Sequence, residues 1–250
     1  MGVLEINKER VNYNIAKPII FSILYTIYFY VALKFIVESN MLISSDSITK
    51  DNVGIRFIGD FFVTLFVPLI LVVIYRKKLK EFKLQFKHTY IQYILIGFMI
   101  LFFFLHNDYT IRGYYKFFFY LIAVGFSEEF VFRGYVYNGL LRYNKSLAVI
   151  VSGFFWGILH AILPGLMAGH SVLRIAIGML YEIGGGILFG YYFIYLLEKS
   201  NSLFIPIFIH AILDYQVAGI GVAVSIATGM YFFIKDRKNA KAIIDKENNV

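Results

Sequence analysis

Apolar positions in this chain gather into long runs separated by short polar stretches. Such runs cover about 18–37, 57–75, 90–106, 147–163 and 172–197; a further one extends from about 114 to Arg142, another starts near Leu203, and a last one covers 219–234. Each is close to the ~20 residues that cross a 30 Å hydrocarbon core. The pattern predicts an all-α, polytopic membrane protein, a bundle of about eight transmembrane helices forming one integral membrane domain over 1–250. Lys17-Pro18 suits a helix start, since proline is tolerated in the first turn. The first apolar run is too long for a signal peptide and leads only to more spans, so it is expected to be retained.

The breaks between runs carry the topology. Residues 38–56 read as a polar linker, 76–83 as the most basic block, and His106 to Arg112 as a short turn. Pro164-Gly165 is expected to end the fifth span, and His170 to lie in the turn after it. Only Asp214-Tyr215-Gln216 separates the last two spans, so one long bent helix is the alternative there. With eight crossings, Lys8, Arg10, Lys17, the block 76–87, Arg142, Lys145, Lys199 and the basic residues of 235–246 share one face. The positive-inside rule makes that face cytoplasmic, with both termini on it and anionic lipid headgroups as its partners.

Composition sharpens this picture. The 250 residues are 59% hydrophobic and 16% charged, with a mean hydropathy of +0.69, whereas soluble domains are nearer 45–50% and 25%. No stretch is long and polar enough for a separate soluble domain. Cysteine is absent, which excludes disulfides, thiolate metal sites and cysteine nucleophiles. The net charge of +8 lies in short segments beside apolar runs, not on a basic folded surface, so nucleic acid is not an expected partner. No internal repeat of the kind carriers show is evident.

Ionisable residues inside such runs mark sites, because charge at membrane depth is costly. The fourth run contains Gly125-Phe126-Ser127-Glu128-Glu129-Phe130-Val131-Phe132-Arg133-Gly134. Glu129 and Arg133, four apart, can pair along one helix face, while Glu128 points about 100° away and is left free to act. Trp156 and His160 are one turn apart in the fifth run, with Gly157 allowing close helix approach; His210 and Asp214 share a face in the seventh. At 1.5 Å per residue, His160 and His210 come out nearly level, and Glu128 up to ~10 Å nearer the cytoplasm. A carboxylate with two imidazoles suits water activation. Glu128, His160 and His210 could also ligate Zn2+, although no His-Glu-x-x-His helix is present. Ser127 lacks a local base. Glu182 either faces the cavity or joins helices, and Gly184-Gly185-Gly186 offers a bend or a close-packing point.

These motifs resemble the CPBP intramembrane proteases, the family of type II CAAX prenyl endopeptidases and of bacteriocin-processing or immunity proteins. Glu128-Glu129 with Arg133 matches its Glu-Glu-x-x-x-Arg motif, Trp156 to His160 is similar to Phe-x-x-x-His, and His210 to Asp214 to His-x-x-x-Asn/Asp, in family order over about 115–220. The resemblance implies Glu128 as general base, Glu129 and Arg133 as organising partners, His160 as a water-binding or catalytic histidine, and His210 with Asp214 beside the oxyanion. Trp156 stands in place of Phe, and Asp214 where Asn is common. Asp donates a hydrogen bond only when protonated, so it would have to be protonated or else orient His210. The expected function is a metal-assisted or glutamate-activated endopeptidase that acts on a membrane-tethered or lipidated peptide or protein in a bacterial cell membrane. The alternatives are a non-catalytic membrane regulator or immunity protein and, behind it, a small transporter.

Overall fold

The computed structural model describes residues 15–247; Lys8, Arg10 and the side chain of Lys246 lie outside what it describes. Among the described residues there are no strands. Eight helices follow one another: α1 (Ala16–Glu38), α2 (Val53–Ile74), α3 (Tyr90–His106), α4 (111–141), α5 (Lys145–Met167), α6 (Val172–Ser200), α7 (Phe204–Asp214) and α8 (Ile220–Glu247). The chain is an integral membrane protein. Helices α1, α2, α5 and α6 are each long and apolar enough to cross a bilayer by themselves, and their outer faces carry lipid-facing residues such as Leu24, Val31, Val73, Leu173 and Leu188.

Three boundaries differ from the sequence reading. Residues 53–56, expected in a linker, form the first turn of α2, because Arg56 pairs with Asp60 at 2.6 Å and both are buried. Tyr115 of α4 donates to the same Asp60 oxygen at 2.7 Å, and the Arg56 guanidinium lies 5.1 Å from the Phe119 ring. Helix α5 does not stop at Pro164-Gly165. It breaks earlier, at His160-Ala161, and resumes over Ile162–Met167. Pro164 has no N–H to give to the His160 carbonyl one turn back, and its ring crowds that carbonyl; the cost appears at His160, where the backbone tightens to bond Gly157.

The third difference is α7, which has only 11 residues, about 16 Å of helix and roughly half a hydrocarbon core. It is buried along almost its whole length, an inner helix rather than a lipid-facing span. It runs alongside α3 in the same direction. Gln92 donates to Ser202 at one end (3.0 Å), and His106 Nε2 donates to the Tyr215 carbonyl at the other (3.2 Å). Residues 215–219 separate α7 from α8, so the single bent helix does not form.

Salt bridges gather the basic segments at one end of the bundle. Arg142 meets Glu81, Lys145 meets Glu198 and Lys199 meets Asp236, while Lys17 and Lys78 line one cleft with Arg142. Asp46 with Lys116, and Asp108 with Arg112, mark the opposite end. The 76–87 loop is stitched to the α6–α7 turn through Leu203 N–H to the Lys83 carbonyl (2.8 Å) and Ser202 Oγ to the Gln85 carbonyl (2.8 Å).

Helices α5 and α6 pack backbone to backbone. A Cβ on Gly186 would sit 2.4 Å from Gly157 Cα, and one on Gly153 would sit 2.6 Å from Ile187 Cα. Only glycine permits this approach. Gly186 thus takes the close-packing role and α6 stays continuous, while Gly184 and Gly185 face open space.

Candidate active site

Helix α4 presents the carboxylates. It is not a uniform α-helix: wide i→i+5 turns cover Phe119–Phe126 and Phe130–Tyr137, on either side of Ser127–Glu129. Such turns are rare and recur at functional sites. They also rise less per residue than an α-helix, so α4 is shorter than 1.5 Å per residue implies. The eight wide-turn residues before Glu128 take up only part of the offset expected for it, yet the side chains meet, with Glu128 Oε2 lying 3.8 Å from His210 Nε2.

Glu129 and Arg133 form the expected pair, with Arg133 Nη1 3.1 Å from Glu129 Oε1 and both side chains 0% exposed. Among the described residues no group accepts a hydrogen bond from the guanidinium. It is held by charge and by two aromatic faces, Trp156 at 4.5 Å and Phe193 at 5.0 Å, a cation–π arrangement worth most where water is excluded. The same Glu129 oxygen also accepts from His210 Nδ1 at 2.8 Å. Glu129 therefore fixes an arginine and an imidazole together. The sequence pairs His210 with Asp214 and gives no sign of the Glu129 bond, which links two helices distant in the chain.

Glu128 faces the other way, 23% exposed, into a cavity of about 1140 Å³ that His160, His210, Asp214, Trp156 and Glu182 also line. Its Oε2 accepts from the Trp156 indole N–H at 2.6 Å and lies 3.8 Å from His210 Nε2. Asp214 Oδ2 is 3.6 Å from that same nitrogen. His160 Nδ1 is 2.9 Å from the Trp156 carbonyl. A carbonyl only accepts, so the His160 proton is on Nδ1 and Nε2 is left for the cavity. The Trp156 ring stands between the imidazoles, 4.6 Å from His160 and 5.8 Å from His210, while Phe193 stacks on His210 at 5.0 Å. Trp156 is therefore a hub of the site, contacting the acid, the arginine and both histidines. Its sequence signal was its place one turn before His160.

Ser127 donates to carbonyls of the preceding turn and is fully buried; it does not reach the cavity. His106 bonds Tyr215 at the end of α3, and His170 lies in the α5–α6 turn. Neither joins the site. Among the described residues no three His, Asp or Glu side chains converge where one ion could be held. Coordination of Zn2+ by Glu128, His160 and His210 would require these side chains to move.

A bundle of apolar helices enclosing a glutamate–histidine pocket behind a buried Glu–Arg pair defines a polytopic membrane protein with the outfit of an intramembrane hydrolase. Residues 110–216 match the family model described as type II CAAX prenyl endopeptidase Rce1-like. That segment contains Glu128, Glu129, Arg133, His160, His210 and Asp214, and its match supports a likeness to the CAAX/CPBP family of intramembrane proteases. No curated protein and no solved structure matches the chain.

Proposed function

We propose that this protein is an intramembrane endopeptidase that hydrolyses a peptide bond in a membrane-tethered or lipidated peptide or protein, with Glu128 as the general base. The observation that carries the reading is the convergence of Glu128, His160 and His210 on one cavity, with Glu128 Oε2 anchored by Trp156 at 2.6 Å. That bond leaves Oε1 to take a proton. Water gives a proton to Glu128 as its oxygen attacks the scissile carbonyl carbon, and His160 Nε2 accepts a hydrogen bond from the other water proton. The carbonyl electrons move onto its oxygen, facing His210, which Glu129 holds through Nδ1. As the intermediate collapses, the C–N bond breaks and Glu128 returns its proton to the leaving nitrogen. General acid–base help of this kind is worth about 10²–10⁴-fold. Asp214 Oδ2, 3.6 Å from His210 Nε2, supports the ring-orienting role of the two open to it.

A cavity of about 1140 Å³ exceeds the ~300–1,000 Å³ of common small-ligand sites and suits a peptide segment. Its far wall is built from α6 and α8, where Leu188, Phe189, Ile226 and Met230 are exposed, so substrate reaches it sideways from lipid. The gathering of basic residues at one end supports a cytoplasmic position for that end, in contact with anionic lipid; a bacterial cell membrane is the proposed setting. The test is cleavage of a membrane-peptide library by the purified protein beside Glu128→Gln and His160→Ala, with chelator and zinc add-back arms. Loss in both variants is expected; full activity in Glu128→Gln would end the reading. Loss on chelation restored by zinc would return the metal to the mechanism.

A further inference from the structure

The substrate-facing charge of the cavity has one member that the hydrolytic scheme does not use. Glu182 lies ten residues into α6, about 15 Å along the helix, in a stretch whose neighbours Leu180 and Tyr181 are exposed as lipid-facing residues are. It lines the cavity and forms no hydrogen bond or ion pair with any described residue. A carboxylate near the centre of a spanning helix is costly and by default marks a site, and nothing among the described residues offsets that cost. Its position is nevertheless held tightly. The Glu182 carbonyl lies 2.6 Å from where a Cβ on Gly157 would be, so this residue is locked beside Trp156, the residue that anchors Glu128. Gly185, one turn on, also lines the cavity and has nothing within 4 Å of an added Cβ, which leaves room beside the carboxylate.

The rest of the wall agrees in sign. Glu128, Glu182 and Asp214 line the cavity with His160 and His210, and among the described residues no Lys or Arg does. Arg133, close by, is sealed behind Trp156 and Phe193. The remaining wall is apolar and includes the aromatic rings of Phe189, Tyr191, Tyr192 and Phe233, surfaces that attract cations through their ring faces. A substrate presenting a free carboxylate here would meet like charge and no fixed cation. One presenting an ammonium or guanidinium would find an unpaired partner.

We propose that Glu182 is a specificity-determining residue that selects peptides carrying a basic side chain or free ammonium close to the scissile bond. The proposal rests on the hydrolase reading for the word scissile, but its binding component can be measured without cleavage. The probes are two fluorescent membrane peptides of about 20 residues, identical except for Lys or norleucine at one position beside the central bond. Their affinities are measured for the full chain in nanodiscs, in a Glu128→Gln background. The Lys peptide is expected to bind about tenfold more tightly, the scale of one partly desolvated ion pair. Adding Glu182→Gln should bring the ratio close to one, and Glu182→Lys should reverse it towards a Glu-bearing peptide. Thermal unfolding of each variant confirms that the exposed substitution leaves the bundle folded. Equal affinities with Glu182 intact, or a preference that survives Glu182→Gln, would overturn the assignment. The two readings fail separately: a Glu182-dependent preference in a protein that cleaves nothing removes the hydrolase, and cleavage indifferent to substrate charge removes the determinant.

Discussion

Trp156 shows how much one side chain can set. Its indole N–H holds Glu128, its ring covers Arg133, and its carbonyl fixes the His160 tautomer. A Phe here, the commoner residue in the resembling motif, would keep the ring and the carbonyl but lose the donor. Hydrogen bonds to charged groups are worth about 1.5–3 kcal/mol. Trp156→Phe is therefore expected to lower kcat by about 10- to 100-fold with the melting temperature nearly unchanged, checked by peptide cleavage and thermal unfolding side by side. A retained kcat would mean that Glu128 is positioned by something else. Glu129 and Arg133 illustrate the complementary case. Both are fully buried, so their removal reports mainly on folding, because an unpaired buried charge is strongly destabilising.

Among the elements, the α5–α6 pair decides whether a cavity exists. Gly186→Ala would force a methyl to within 2.4 Å of Gly157 Cα, and overpacking of this kind costs about 1–3 kcal/mol. It should lower stability and cleavage together. Gly184→Ala meets nothing within 4 Å and should stabilise by about 0.5–1 kcal/mol through helix propensity. Thermal unfolding of the two variants separates the roles of adjacent-looking glycines. The sequence locates this cluster but cannot say which glycine faces the partner, since that depends on the rotation of α6. The same limit applies to α4 and α7. Runs of apolar residues show the helices and their order, and the i,i+4 rule finds Glu129–Arg133. Applied to Arg56 and Asp60, the rule would have moved the start of α2 into the supposed linker. Wide turns in α4 and the buried, half-length α7 leave no mark in hydropathy, so a uniform rise of 1.5 Å per residue does not locate Glu128 in depth.

Across the molecule, charge is sorted by end: basic loops at one, and the Asp46, Asp108, Arg112 and Lys116 cluster at the other. The Thr110 hydroxyl and the Arg112 guanidinium hold the Asp108 carboxyl down at about 2. A carboxylate with a lowered folded value contributes stability that is fully present above its unfolded value and lost as pH falls through the folded one. The 107–112 turn should therefore keep its amide protection at pH 4 and lose it as pH approaches about 2; Asp108→Asn should remove that dependence in hydrogen exchange. The chemistry proposed for the middle of the bundle is that one wet pocket turns water into a nucleophile. Its most direct test is single-turnover cleavage of a membrane peptide in ¹⁸O-water, read by mass spectrometry of the new carboxyl terminus. One ¹⁸O is expected in the product formed by the parent protein, and no product from Glu128→Gln. Labelled product formed at the parental rate by Glu128→Gln would contradict it.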